Sequence, residues 1–501
     1  MSEQKKIGSF IRSVREARGM TQEEFARLLH TSQSAVARME NGKQNLTTHV
    51  IEKVSAVLGR RIINVSDSID FKIEGGARLR GSVTTNASKN GALGVLSAAL
   101  LNQGVTTLYG IPRIEEVNRF IEVLESIGVK VEWINHNGVR IVPPKKFCLK
   151  KLNNVAASKI RSVLMLVGGL IHFEQVFHIP HAGGCKMGNR TIAAHRYGLE
   201  ELGVKIITHD QYYEVHASKL RAGNITLYEA SDTAVENLLI ASARIPGVTT
   251  ISFATPNYQV QEVCFFLEKL GAHIEGIGTS TLVVHGVKDI RADVVYCNSE
   301  DPIESMMFLS AAIVTKSKLT VTRCPIDFLK LELLKLEKMG LRHKITKSYL
   351  AHNHKTKLVD ITVYPSVLRA PADKIHAQPY PGINTDNLPF FVPIATQAKG
   401  TTLIHDWMWE NRAIYFTELN RLGANVTLAD PHRAFIQGPT PLKAAQVVCP
   451  PALRPAMIIL IAMLAAKGTS VLRNVYSINR GYEEIAHRLN AIGARITIIH
   501  E

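Results

Sequence analysis

Six times along this chain a helical stretch closes with Leu-x-x-(Leu/Ile/Met)-Gly and then runs into a strand. The glycines are Gly128, Gly203, Gly271, Gly340, Gly423 and Gly493, in LESIGVKVE, LEELGVKI, LEKLGAHIE, LEKMGLRHK, LNRLGANVT and LNAIGARIT. Neighbouring glycines stand roughly 70 to 80 residues apart, so one supersecondary unit is used six times. Strand entries with a related pattern recur at Gly104-Val-Thr-Thr, Gly247-Val-Thr-Thr, Gly400-Thr-Thr and Gly468-Thr-Ser. The helices ahead of them include Leu93 to Leu101, Met306 to Val314 and Met457 to Ala466, apolar on every side. Such helices must be buried all round, which predicts units packed about a shared helical core with strands outside. The longest interval, Gly340 to Gly423, holds the basic, histidine-dotted stretch Arg342 to Lys357, read as an exposed insertion with His352-Asn-His354 a solvated loop.

Residues 7 to 61 have a different texture and read as a compact all-helical module. Ile7, Phe10, Ile11 and Val14 form one face of a helix closed by Gly19. Thr21 with Glu24 makes a capping-box pattern for a second helix, Gln22 to His30. A third helix is predicted over Ser32 to Glu40 and a fourth over Thr47 to Leu58, so the module has a helix-turn-helix arrangement. The chain's net charge of +16 is partly concentrated here, with 11 Lys/Arg against 6 Asp/Glu in residues 1 to 65. The surplus elsewhere suits a protein that handles polyanionic substrates. The longest apolar run, Met457 to Ala466, is too short to span a bilayer, and the N-terminus lacks the apolar stretch of a signal peptide. Six scattered cysteines without a CxxC pair predict reduced thiols and a cytoplasmic location, with neither a disulfide frame nor a zinc site.

Three segments interrupt the repeat. Lys89 and Asn90 open an apolar helix, where a lysine adds its charge to exposed N–H groups. Ala182-Gly-Gly-Cys-Lys-Met-Gly-Asn-Arg190 is a glycine-rich loop in which Lys186 and Arg190 surround Cys185 with charge that lowers a thiol pKa. In the C-terminal half stand Arg412, Arg454, Arg480 and, in Gly382-Ile-Asn-Thr-Asp-Asn, Asp386. Arg454 heads one of the most apolar helices, where a charge needs a partner or a cleft. His172, His178, His181 and His195 flank the cysteine loop and are read as surface or packing residues.

With these segments the six-fold repeat resembles the enolpyruvyl transferases, from about Phe71 to Arg495. Its most specific stretches are Ser88-Lys-Asn, Gly183-Gly-Cys-Lys-Met-Gly-Asn-Arg, Glu410-Asn-Arg and Arg480-Gly-Tyr-Glu. The cysteine loop places the resemblance with the sugar-nucleotide branch rather than the shikimate branch. The resemblance implies an α/β fold: a two-lobed, inside-out α/β barrel of six βαβαββ-like units. It implies a reaction in which a sugar hydroxyl, the 3-hydroxyl of UDP-N-acetylglucosamine, attacks C2 of phosphoenolpyruvate and phosphate leaves, the first committed step of peptidoglycan precursor synthesis. Lys89, Arg190 and Arg480 match the phosphate side, and Arg412 and Arg454 the carboxylate side. Cys185 matches the general acid, and Asp386 the carboxylate that takes the hydroxyl proton. Asn90, Arg161, the run Arg190, Thr191, Ile192, Ala193 and Ala194, and Met408 match substrate-contacting positions. No metal and no cofactor is implied. The match departs from the family in three places: Ala452 replaces an aspartate two residues before Arg454, Glu229 with nearby Asp232 replaces a lysine near the uridine nucleotide, and Pro302 after Asp301 replaces an arginine.

The N-terminal module resembles the Cro/repressor-like helix-turn-helix family, through Gly19-Met-Thr-Gln-Glu-Glu-Phe-Ala and Ser32-Gln-Ser-Ala-Val-Ala-Arg-Met-Glu-Asn-Gly-Lys. That resemblance implies double-stranded DNA as a partner, with Gln22 on phosphate, Ser32, Gln33 and Ser34 toward base edges, and Arg38 reaching the backbone. It also implies a homodimer formed through this domain. The expected organisation is a helix-turn-helix domain over 1–66, one transferase lobe from 67–87 plus 300–501, and a second, carrying the cysteine loop, from 88–299. Two alternatives stay open on the sequence: a transferase with a different acceptor, and a ligand-sensing transcription regulator with a degenerate transferase body.

Overall fold

The computed structural model describes residues 3–17, 19–44, 46, 50, 53, 54, 57, 69–183 and 191–500. The chain divides into two compact units, Met1–Ile69 with His500–Glu501, and Asp70–Ile499.

In the first unit α1 (Glu3–Ala17), α2 (Gln22–Leu28) and α3 (Gln33–Glu40) close over Ile11, Val14, Phe25, Ala26, Leu29, Val36 and Met39. The capping box forms: the Thr21 hydroxyl accepts from Glu24 N–H at 3.2 Å, and the Glu24 carboxylate accepts from Thr21 N–H at 2.8 Å. Beneath it Arg15 donates to both oxygens of buried Glu40, at 2.5 and 3.1 Å, and ties α1 to the end of α3. Removing one partner of such a pair strands a charge in the core, at a cost of about 3–5 kcal/mol. Ser32 caps α3 by accepting from Ala35 N–H. Of the predicted fourth helix only residues 50, 53, 54 and 57 are described; among them Val54 is buried in the same core, and the rest lies outside the described residues.

Among the described residues the second unit holds six small sheets. One shows the repeat plainly. Strand Asn224–Thr226 leads to helix Asp232–Ala243, strand Gly247–Ser252, helix Tyr258–Lys269 and the hairpin His273–Glu275 and Thr281–Gly286. The first two strands pair in parallel and the others antiparallel, so the βαβαββ order of the chain becomes one four-stranded sheet. The helix after the leading strand is the buried one. Asp232–Ala243, Pro302–Val314 and Leu453–Ala465 have almost every residue buried, as an all-apolar helix requires. Each of the six repeat glycines follows the second helix of its unit with φ between +83° and +103°. That left-handed conformation reverses the chain out of the helix and is cheap only for glycine.

Three sheets come from residues 106–297 and three from residues 69–84 and 319–500, which gives two lobes. Where the chain passes between lobes, the units exchange leading strands. Ser82–Thr84 precedes the helix Lys89–Ala98 but pairs with Leu319–Pro325, while Val294–Cys297 precedes Pro302–Val314 but pairs with Thr106–Tyr109. The two crossings lie side by side, with Ser88 N–H donating to Ser299 O at 2.7 Å and Asp301 N–H to Asn86 O at 2.8 Å. This places the start of the Lys89 helix at the lobe boundary.

The stretch Arg342 to Lys357 is not a plain loop. Arg342–Ile345 and Tyr349–Leu350 both pair with Lys357–Tyr364, adding a hairpin to a sheet of the C-terminal lobe. His352 and His354 are exposed, but Asn353 between them donates to Glu262 of the other lobe at 3.2 Å. Among the described residues, no helix is long and apolar enough to cross a membrane.

Candidate active site

A cavity of about 470 Å³ opens between the lobes. Its lining draws on helix starts and loops from both, which is where the crossings and the buried helices deliver polar residues. Of the residues singled out in the sequence, Lys89, Asn90, Arg161, Thr191, Ala194, Asp386, Met408, Arg454 and Arg480 line it. Residues separated by up to 391 positions in sequence, Lys89 and Arg480, therefore share one wall.

Lys89 is the first residue of its helix, behind the N-cap Ser88. Its Nζ donates to Glu116 Oε2 at 2.9 Å, and Arg480 Nη2 lies 3.7 Å from the same oxygen. Burial pushes the Glu116 carboxyl up, but Lys89 and Arg480 beside it outweigh that and hold it below the ordinary carboxylate range. Glu116 was missed in the sequence, yet a signal is present. It stands four residues before Phe120 and seven before Val123, on the buried stripe of helix Glu115–Ser126. A carboxylate in that stripe needs cations.

Arg454 is second in the helix Leu453–Ala465 and is buried. It donates to Tyr482 Oη at 2.7 Å and to Asp386 Oδ2 at 3.1 Å. Burial pushes the Asp386 carboxyl up, and the guanidinium groups of Arg454 and Arg412 prevail to hold it below its usual value. Asp386 thus sits in the cavity wall as a carboxylate. Asn90 donates to Tyr258 Oη at 2.9 Å and Gln259 Oε1 at 3.1 Å, and Arg161 donates to Thr191 O at 2.7 Å.

Three of the expected residues lie elsewhere. Arg412 does not line the cavity. It is fully buried behind it and donates twice to Asp406, at 2.5 and 2.8 Å. Its Nη1 lies 3.8 Å from Asp386 Oδ1, so it acts on the cavity through that carboxylate. Asp406 had no signal in the sequence, because a single aspartate after a strand looks like a turn residue. Ile192 faces an apolar pocket with Leu164, Val167 and Ile179, and Ala193 starts the helix Ala193–Glu201 without reaching the cavity. Cys185, Lys186 and Arg190 lie outside the described residues. At the stem of their loop a Cβ on Gly183 would stand 1.7 Å from Ser158 O, so only glycine lets the chain leave there.

Part of the cavity wall is acidic. Glu229, Asp232 and Glu236 line it with Arg161. Asp232 is the first residue of the helix Asp232–Ala243 and accepts from Asn257 Nδ2 at 2.8 Å. Burial pushes both the Asp232 and the Glu236 carboxyls up. Ala452, at the N-cap position ahead of Arg454, is buried and supplies no side-chain cap. Asp301 caps the helix Pro302–Val314, with its carboxyl pushed up to about 6 by burial. Of the flanking histidines, His195 packs against Thr233 and Asn237 at the cavity wall, and His172 is held by the Ala241 carbonyl with its imidazole pushed down to about 4 by burial. His178 is exposed beside Glu214.

In the helix-turn-helix unit Ser32, Gln33, Ser34 and Arg38 are exposed at the start and along the outer side of α3. The Gln22 amide donates to Glu40 Oε2 at 2.8 Å, so one face of it is anchored inward.

Two lobes of three small sheets each, with a cavity of lysine, arginines and carboxylates between them, define the carboxyvinyl (enolpyruvyl) transferase class. Residues 73–489 match the family described as EPSP synthase (3-phosphoshikimate 1-carboxyvinyltransferase), and the chain belongs to that family. Within it, the chain is 34% identical to a UDP-N-acetylglucosamine 1-carboxyvinyltransferase of Bradyrhizobium diazoefficiens, over 86% of this chain and 99% of that protein. It is 35% identical to the protein of the same description from Treponema denticola, with the same coverage. Among solved structures it resembles the enolpyruvyl transferase NikO from Streptomyces tendae, with a TM-score of 0.73 at 22% identity over 87% of this chain and all of that one. EPSP synthase from Acinetobacter baumannii aligns with a TM-score of 0.67 at 17% identity over 86% of this chain and all of that one. Residues 11–63 match a helix-turn-helix family.

Proposed function

We propose that this chain transfers the enolpyruvyl group of phosphoenolpyruvate to the 3-hydroxyl of UDP-N-acetylglucosamine, in the cytoplasm, as the entry step to peptidoglycan precursors. The carrying observation is the convergence of Lys89, Asp386, Arg454 and Arg480 on one inter-lobe cavity. The acceptor oxygen bonds to C2 of phosphoenolpyruvate and gives its proton to Asp386, while Cys185 protonates C3. The tetrahedral ketal then loses a C3 proton and phosphate, which restores the double bond as an enol ether. Lys89 and Arg480, with Arg190, neutralise the phosphate, and Arg454 takes the substrate carboxylate. Fixed cations aimed at the moving charge stabilise it without reorganisation.

The resting pairing gives this sequence an order. Asp386 bonded to Arg454 is a weak base. When the substrate carboxylate claims Arg454, Asp386 loses a hydrogen bond and gains basicity, so the proton acceptor is switched on by the first substrate. Arg412, buried against Asp406, acts as a positioning residue for Asp386. The lobes, 67–87 with 300–501 and 88–299, would close to bring Cys185 to C3.

Glu229 and Asp232 favour a second reading, in which the same chemistry serves an acceptor without a diphosphate at that end. We further propose that the helix-turn-helix unit binds duplex DNA as a dimer, through Ser32, Gln33, Ser34, Arg38 and the outer face of Gln22. Phosphate release from phosphoenolpyruvate with UDP-N-acetylglucosamine, with the product's mass measured, tests the first reading. Turnover with an enolpyruvyl mass gain supports it. Phosphoenolpyruvate binding without turnover on this acceptor moves the reading to another acceptor, or to a ligand-sensing regulator.

A further inference from the structure

Outside the cavity lining, the edge hairpin His273–Glu275 and Thr281–Gly286 carries a group that the proposed transferase reaction does not use. His273 pairs directly with His285, and Glu275 with Val283. Ile274 and Val284 between them are buried, so His273, Glu275 and His285 all project from the opposite, outward face. His285 Nε2 lies 2.6 Å from Glu275 Oε1, and His273 Nε2 lies 3.9 Å from the same oxygen. The imidazole rings are 5.0 Å apart at 36°. One ligand atom from each of the three side chains lies within 4.8 Å of the others. The register neighbours on that face, Val248, Thr250 and Val283, carry no charge to compete with a cation.

We propose that His273, Glu275 and His285 bind a divalent transition ion of the zinc type as a three-ligand site with an open fourth position. Two imidazoles and one carboxylate are a zinc donor set, and the nitrogen ligands select against magnesium and calcium. A tetrahedral ion with bonds of about 2 Å separates its ligand atoms by about 3.4 Å, so small side-chain rotations close the present triangle. The backbone needs no change, since the sheet register already fixes the three Cβ positions on one face. The ion would pin the edge strand His273–Glu275 to its neighbour. None of the three residues lines the inter-lobe cavity, which separates this site from the transferase chemistry.

A neighbouring sheet shows what the arrangement is not. His178, His209 and His216 surround Glu214 with Nε2 atoms at 3.9, 3.0 and 2.6 Å, but His209 and His216 approach different carboxylate oxygens. Among the described residues, only the His273 group brings three ligand atoms into one short triangle.

The test is titration of the full chain with Zn(II) by calorimetry, and with Co(II) by its visible absorption, in the Cys185→Ser background so that the loop thiol is no ligand. His273→Ala and His285→Ala should each weaken binding about tenfold or more, and His216→Ala should leave it unchanged. Phosphate release by His285→Ala on the otherwise unaltered chain, measured without added metal, should match that of the parent. The proposal is overturned if the parent binds neither ion up to millimolar concentration. Binding that survives both histidine substitutions, or that is lost in His216→Ala, overturns it equally.

Discussion

Two sets of carboxylates in the inter-lobe cavity, here its cationic and acidic ends, are built from the same residue types and behave in opposite ways. At one end Glu116 and Asp386 each face arginine or lysine at hydrogen-bond or ion-pair distance, and both are held as carboxylates despite burial. At the other, Asp232 and Glu236 meet neutral amides instead, and burial, helped by the charge of Asp386 on Asp232 and of Asp232 on Glu236, drives them toward the protonated acid. Desolvation acts at both ends, and the count of nearby cations decides the outcome. The first end gathers the cations that the proposed transfer assigns to phosphate and carboxylate. The second presents acid groups where a nucleotide diphosphate would lie under the proposed acceptor, and it is the part most open to a different ligand.

The largest test of that contrast is Asp386→Asn. It keeps the shape of the anion end but removes the proposed proton acceptor, and should lower kcat by about 100-fold or more. Phosphoenolpyruvate should still bind, as Arg454 is then less encumbered. A variant within a few-fold of the parent would show that Asp386 only structures the wall. Glu116→Gln comes next. It frees Lys89 and Arg480 from a shared anchor without removing their charge, so kcat should fall about 10-fold while phosphoenolpyruvate binding holds. A loss confined to binding, with kcat intact, would mean that Glu116 does not set their positions. At the acidic end, Glu229→Lys should lower KM for UDP-N-acetylglucosamine about 5-fold and leave that for phosphoenolpyruvate alone. An unchanged acceptor KM would remove Glu229 from the acceptor's path.

How far this contrast could be read in the sequence depends on the physics at each position. The repeat was legible because a left-handed cap after a helix admits glycine almost alone, and six such glycines mark six units. The buried helices were legible from their apolar character. Arg454 stood out because a charge at the head of an apolar helix needs a cleft, whereas Lys89 and Asp386 took their roles from the resemblance to the enolpyruvyl transferases. The partners that tune them did not stand out. Glu116 hides in an amphipathic helix, Asp406 in a turn, and Tyr482 in a stretch rich in polar residues; each matters only through a contact made across the fold. Arg412 shows the reverse limit. Its type and motif suggested direct contact with substrate, whereas the fold buries it against Asp406, a placement that periodicity cannot reveal. The exchange of leading strands between lobes was also beyond the pattern, since both units look complete in sequence.

The smallest expected effect separates the two ends by pH. Asp232 has its carboxyl pushed up by burial, so it gains its charge at a higher pH than an ordinary aspartate does. An anionic acceptor is bound better by the neutral form. Its KM should therefore rise by a few-fold as pH rises through the raised Asp232 titration. Glu116 and Asp386 are held down and are already ionised in that window, so KM for phosphoenolpyruvate should not follow. The same shift predicts a stability change of definite sign. A carboxyl whose folded pKa is raised stabilises the fold below its unfolded pKa, and that contribution is lost as pH rises toward the folded value. Asp232→Asn should flatten the acceptor profile and leave the phosphoenolpyruvate profile as it was. A step that persists in this variant would assign the titration to Glu236, and one that appears for both substrates would mean that the Asp232 charge, already coupled to Asp386, reaches the phosphoenolpyruvate side as strongly as the acceptor.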